Sequence, residues 1–353
     1  MKRVTLGFSV LALSTAFVLS CKPEKNEPPV ADTETQSAVF ASFANYVASD
    51  IEMACSFMGE NAYNTTFYSE YPGSSSGNTG TVSIIRDTTN IVIDGKPHDQ
   101  LVMAWNSTRC IDGNFRDGSI FMYVPQIPNQ RYSRDFKFQG RINLSNYKVN
   151  GWLIELYDPG APVYLYNTLA SSNYSTTTTK LTWRFAGKLK FTHPTDPQKN
   201  MIWDGQLFKT LENTSNPAVF APSKQAAITW SNAVISYSAK VTGTVPKVDD
   251  EGKVIEPNVG FDLTVDGVRP LVRDFKCSPD KVSGVTFAPT GTVVQLGDEH
   301  HPFKTGVASF TVGTAYPRQI YYGNEGEPQL DIQCDNTGEV LIKGTSYKVN
   351  FMK

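Results

Sequence analysis

Apolar side chains between residues 39 and 58 recur every three or four positions: Val39, Phe40, Phe43, Val47, Ile51, Cys55 and Met58. That spacing gathers them on one stripe and predicts an amphipathic helix whose stripe packs on a sheet. Thr33 and Gln36 fit a capping box at its start, and Gly59 fits a stop at its end. After Gly59 the period falls to two. Leu181, Trp183, Phe185, Leu189 and Phe191 alternate with Thr182, Arg184, Lys188 and Lys190, and Tyr347, Val349 and Phe351 alternate with Lys348 and Asn350. Strict alternation predicts antiparallel strands with one dry face and one wet face. Asp94-Gly95, Asn150-Gly151, Asp204-Gly205 and Asp266-Gly267 read as turns between them. Strands do not alternate with helices, which argues against a parallel α/β sheet. The expected fold is mainly β: antiparallel sheets, as a sandwich-like or extended β body, with one N-terminal amphipathic helix. Proline and charge interrupt the pattern at 246–257, as a soft boundary or a long hairpin tip. Tyr71 to Gly80 and Ala170 to Thr179 are rich in small polar residues and read as loops.

The N-terminus has a different pattern. Met1-Lys2-Arg3 precedes an apolar run from Val4 to Val18, followed by Leu19-Ser20-Cys21. A basic start, a short apolar core and a small residue before a cleavage point make a secretory signal. The 16 residues from Val4 to Leu19 fall short of the roughly 20 that a transmembrane helix needs. The segment ending in Cys21 resembles a bacterial lipoprotein signal, in which the cysteine is acylated (palmitate among its chains) and becomes the new N-terminus. That resemblance implies a membrane partner reached through acyl chains, since a single chain binds only marginally and stable anchoring takes more. Lys22 after the cysteine, by the same resemblance, favours the outer membrane. Residues 1–20 are then the signal and 21–37 the anchor and tether. Residues 38–353 are the helix and β body. The proline-rich stretch 22–32 reaches ~35 Å at most when fully extended.

The signal carries two of the 32 basic residues and none of the 34 acidic ones, so the mature chain is formally −4 against −2 for the whole. Such mild acidity gives no electrostatic footprint for nucleic acid. Aromatic residues at 12% beside only 19% charged residues point to a folded, exported β protein. Besides Cys21 the chain holds Cys55, Cys110, Cys277 and Cys334. An even number in an oxidising compartment reads as two disulfides with three connectivities. Cys55–Cys110 and Cys277–Cys334 are preferred because each pair lies within one half of the chain.

Candidate chemistry is sparse. Asp298-Glu299-His300-His301 is the densest set of metal-type ligands, but neighbouring strand residues point to opposite faces and a solvated hairpin tip is simpler. Asp112-Gly113-Asn114-Phe115-Arg116-Asp117-Gly118 has the look of a calcium loop, yet Arg116 stands where a ligand is required. The ordinary reading is a turn in which Arg116 bonds nearby carbonyls. No G-x-S-x-G, phosphate loop or dinucleotide fingerprint occurs. The expectation is no metal, no cofactor and no catalytic residue, although sequence spacing leaves a carboxylate pair open. Tyrosines at 63, 68, 71, 164, 166, 174, 321 and 322 lie near predicted loops and strand ends, where rings stack on sugars, fill interfaces or simply pack.

From Cys110 to Ile120, through Gly140-Arg141-Ile142 and Tyr147-Lys148-Val149-Asn150-Gly151, and again at Asp274-Phe275-Lys276-Cys277, the chain resembles a group of uncharacterised Bacteroidetes lipoproteins. Tyr322-Gly323 and Cys334-Asp335-Asn336-Thr337-Gly338 complete the likeness, and Asn324 to Leu330 lengthens the stretch before Cys334. The resemblance implies a helix followed by a long β region at the envelope, and implies no activity. Three functions therefore stand. The first is a non-enzymatic binding or structural role in the envelope, with an envelope protein or glycan as partner. The others are a carbohydrate-binding accessory for glycan uptake and a carboxylate-pair hydrolase. Cys21→Ala should leave an uncleaved precursor that takes up no labelled palmitate; normal acylation of that variant would contradict the anchor.

Overall fold

The computed structural model describes residues 34–61, 81–110, 114–128, 133–168, 180–212, 234–249, 251–274, 303–322 and 337–351. Among the described residues one α-helix, α1 (Gln36–Asn61), precedes fifteen strands. These are β1 (Thr81–Ile93), β2 (Lys96–Arg109), β3 (Phe115–Pro125), β4 (Gln139–Val149), β5 (Trp152–Leu156) and β6 (Val163–Asn167). Then come β7 (Lys180–Thr192), β8 (Met201–Glu212), β9 (Val234–Val248), β10 (Val254–Val265) and β11 (Leu271–Asp274). The last four are β12 (Phe303–Val312), β13 (Arg318–Tyr322), β14 (Thr337–Ile342) and β15 (Thr345–Asn350). All belong to a single antiparallel sheet in which neighbours in sequence are mostly neighbours in space. Short β5 and β6 share one lane between β4 and β7, and β10 and β11 share one between β9 and β12.

The mainly β, antiparallel architecture with one N-terminal helix is the one the two periodicities predict. β7 keeps the predicted alternation, with Leu181, Trp183, Phe185, Leu189 and Phe191 buried and the intervening residues facing outward. Asp94-Gly95 and Asn150-Gly151 both have positive φ at each residue, the mark of a two-residue hairpin turn. Pro246 to Pro257 falls in the β9–β10 hairpin, one of the two alternatives, and the described residues from Glu34 onward belong to one compact unit. Asp204-Gly205 is no turn: it lies inside β8, where Gly205 lets the backbone of β9 come close. A Cβ there would lie 2.7 Å from the Lys240 carbonyl oxygen. The loops expected at 71–80 and 170–179 fall outside the described residues.

The helix departs most from expectation. It is not an amphipathic element with a wet side, because from Ser37 to Gly59 almost every residue is buried. Ala38, Ala41, Ala44, Ala48 and Ala54 favour helix and keep its surface small enough for strands to approach. The polar residues Ser42, Asn45, Ser49, Asp50, Glu52 and Ser56 are buried as well. Asp50 and Glu52 are two residues apart, so they point to nearly opposite sides of the axis. Asp50 binds Arg116 of β3 and Tyr147 of β4, while Glu52 binds Lys209 of β8 and Tyr237 of β9. The sheet therefore curls around the helix and grips it from both sides.

Both helix ends are fastened. At the start the Glu34 carboxylate accepts from the Ser37 amide at 2.7 Å, and the Glu34 carbonyl accepts from Arg318 of β13 at 3.0 and 3.1 Å. Glu34 thus supplies a capping side chain; Thr33, the cap expected from the sequence, lies outside the described residues. At the other end Gly59 does not stop the helix, which runs on to Asn61. Its carbonyl accepts from the Ser133 amide at 3.2 Å, and a Cβ on it would sit 2.9 Å from that of Ser133. Gly59 is there for close approach. Ser133 is anchored in turn, its carbonyl accepting from Trp183 at 2.7 Å and Asn167 at 3.1 Å.

A buried charge left without its partner is costly, about 3–5 kcal/mol. Asp50→Asn should lose about that much in urea denaturation, because the Arg116 guanidinium stays buried without a countercharge. Asp50→Leu combined with Arg116→Met should recover most of the loss. Equal losses for the single and double variants would contradict the pairing.

Candidate binding face

The interior chemistry is spent on the helix. Arg116 reaches both Asp50 oxygens at 2.9 Å, and Tyr147 donates to the same carboxylate at 3.0 Å. Tyr46 accepts from Arg116 at 3.0 Å and from Asn114 at 2.8 Å, and Asn114 accepts from Asn150 at 2.8 Å. Across the helix, Lys209 lies 2.7 Å from Glu52, bonds Ser56 and stands 4.4 Å from the centroid of the Trp183 ring. A serine, a lysine and a carboxylate in contact suggest nucleophilic catalysis, but all three are fully buried and serve as a strut. Arg116 is therefore buried against the helix, not held in a surface turn as its sequence context suggests. It is the main buried cation of the β3 side.

The sequence-predicted site residues lie apart. Cys21, Cys277 and Cys334 fall outside the described residues, as do Asp298 to His301. Cys55 and Cys110 do not form the expected disulfide. The reason is placement: Cys55 interacts with Glu52 and Lys209 on the β8 side, whereas Cys110 closes the β2–β3 hairpin. A disulfide needs Cα atoms about 4.4–6.8 Å apart. The Cys110 thiol instead contacts the Thr108 carbonyl at 3.7 Å. Burial pushes the Cys55 thiol well up, the Glu52 carboxylate adding to this and Lys209 opposing it. From the supposed calcium loop, Asn114 turns inward to Tyr46 while Asp117 pairs outward with Lys148 at 3.6 Å. His193 accepts from the amides of Thr195 and Asp196, which organises a turn; burial, then Lys199, holds its pKa low.

What the fold leaves exposed is an outer row running across the strands. Register pairs Tyr123 with Arg141, Arg141 with Tyr164, Tyr164 with Ala186, Ala186 with Gln206, Gln206 with Lys240 and Lys240 with Thr264. Seven lanes at about 4.8 Å spacing make a track of about 29 Å. At its first end Tyr123, Arg141 and Tyr164 border a recess of about 190 Å³ that Lys96, His98 and Gln139 also line. Tyr166 adjoins it, its ring centroid 5.4 Å from that of Tyr164, with the Arg184 guanidinium 5.0 Å from the Tyr166 centroid. Burial raises the Tyr166 phenol, and Arg184 offsets part of this. Among the described residues no ion pair takes up Lys96, Arg141, Arg184 or Lys240. At the other end Gln206, Lys240, Thr242 and Asp262 border an open groove of about 510 Å³.

Of the tyrosines noted in the sequence, Tyr164 and Tyr166 come together here. Tyr322 does not: it is core, stacked on Phe351 at 5.0 Å. Tyr123, Arg141 and Arg184 carry no sequence signal of their own, since only strand register brings them beside the tyrosines. Among the described residues no helix is long and apolar enough to cross a membrane. The chain matches no family model, no curated protein and no solved structure.

Both described thiols should resist alkylation in the native protein and react after denaturation, as buried thiols do. A 55–110 cross-linked peptide in a non-reducing digest would contradict this assignment.

Proposed function

We propose that this chain is an envelope lipoprotein with a non-enzymatic binding role, exported under residues 1–20 and held to the outer membrane by acyl chains on Cys21. Its outer sheet face is the binding surface. The observation that carries the reading is the contrast between the two faces of the sheet. Inside, Asp50, Glu52, Arg116 and Lys209 neutralise one another around the helix. Outside, Arg141 and Arg184 are partly exposed beside three tyrosines and form no ion pair with a carboxylate among the described residues, Asp94 standing at the rim. Cations beside aromatic faces, on strands rather than loops, form a rigid surface suited to recognition. The lipoprotein resemblance supports the address and supplies no activity.

The carbohydrate-accessory reading is the second, favoured by the same tyrosine faces. The hydrolase reading has less behind it. Asp204 and Asp262 stand on either side of Thr242 by register, about 10 Å apart at two strand spacings. Yet Asp204 is half-exposed and tied to Lys188 at 3.4 Å, beside a groove open to water. A general acid needs a sheltered site to hold its proton.

The test is capture of ligands from solubilised envelope by the acylated protein, wild type against Tyr166→Ser with Arg184→Ser. Both substitutions lie on the wet face and should leave thermal unfolding within about 2 °C. The reading expects the protein to sediment with outer membranes and the variant to lose capture. A protein released from membranes after maturation, or capture indifferent to the two substitutions, would refute it.

A further inference from the structure

The chemistry along the outer row narrows the ligand class. We infer that the row seats an acidic polysaccharide, with a carboxylate-bearing sugar ring in the recess between Tyr123, Arg141 and Tyr164. This rests on the reading of the outer face as a binding surface.

Three features select that class together. First, Arg141 lies in register between two tyrosines, so one ligand residue meets an aromatic face and a guanidinium at once. A guanidinium fork matches a carboxylate with two parallel hydrogen bonds, and a tyrosine face matches the apolar C–H face of a pyranose ring. A compact inorganic anion uses the first and wastes the second. A neutral sugar uses the second and leaves the cations unmatched. Lys96 and Arg184 add to the positive side of this end, against Asp94 at the rim.

Second, the recess is about 190 Å³, room for one ring rather than an extended aromatic or peptide group. Third, the row continues. Ala186, the row's residue between Tyr164 and Gln206, presents only a methyl group, so nothing bulky stands in the row between the recess and the groove. Beyond them Gln206, Thr242 and Thr264 offer hydrogen-bonding partners to hydroxyls. Asp204 is held by Lys188, and Lys240 and Asp262 both line the groove, so the charges of the far end balance. Carboxylate recognition belongs to the recess, and hydroxyl recognition to the groove.

The experiment is calorimetric titration of the full mature lipoprotein in detergent with four polymers: polygalacturonate, alginate, fully methyl-esterified polygalacturonate and polyglutamate. The inference expects at least one of the two uronates to bind, with affinity falling as salt rises. The ester, identical but uncharged, should bind about tenfold more weakly, the worth of one charge-assisted contact. Arg141→Gln should lose about tenfold on the uronate and nothing further on the ester, whereas Tyr164→Ala should weaken both. An ester equal to the acid overturns the acidic class, and polyglutamate equal to the uronates overturns the sugar. Failure of both uronates overturns the inference too. If envelope capture still depends on Tyr166 and Arg184, the binding reading survives that failure; if capture is also lost, both fall.

Discussion

A helix that carries carboxylates on opposite sides cannot be buried unless cations meet it from both directions. Arg116 of β3 and Lys209 of β8 do this for Asp50 and Glu52. The requirement reaches well beyond two ion pairs. Each cation must stand on the inner face of its strand, and side chains alternate between faces. A slip of one residue in β3 or β8 would turn the cation outward and strand the carboxylate. The polar contacts of the helix thus act as register marks for the sheet around it. Tyr46, Tyr147 and Tyr237 complete the hydrogen bonding, which keeps these buried polar groups from becoming a net cost.

With register fixed inside, the outer face is fixed as well. Arg141 falls opposite Tyr164, and Arg184 opposite Tyr166, because their neighbours Ile142, Leu165 and Phe185 are committed to the core. The outer row inherits its order from the inner one. This explains how the outer face presents cations and aromatic rings at set spacing. Hydrogen-bonded strands hold that spacing more tightly than loops would.

Much of the fold was legible in the sequence. The period-two runs of β7 and β15, the hairpin turns at Asp94-Gly95 and Asn150-Gly151, and the helix itself follow from local pattern. The environment of the helix was not legible. Asp50 and Glu52 look like a solvated side until Arg116, 66 residues away, and Lys209 are brought against them. Nothing local separates a wet carboxylate from one paired across the fold. Gly205 misled for a related reason, since Asp-Gly is the usual turn pair and only the approach of β9 gives the glycine its role in a strand. The cysteine count suggested a Cys55–Cys110 pairing that the fold does not make. The proposed binding face was half visible: Tyr164 and Tyr166 stood out as aromatics, while Arg141 and Arg184 drew no notice as site residues until register joined them.

Hydrogen exchange followed by mass spectrometry on the helix is the most direct measurement of this account. If α1 is an interior strut gripped from two sides, the amides of Val47 to Phe57 should exchange only through global unfolding, as slowly as those of β7 and β8. Exchange of these amides well ahead of the flanking strands would mean a helix lying on the sheet instead of inside it, and the account would be wrong.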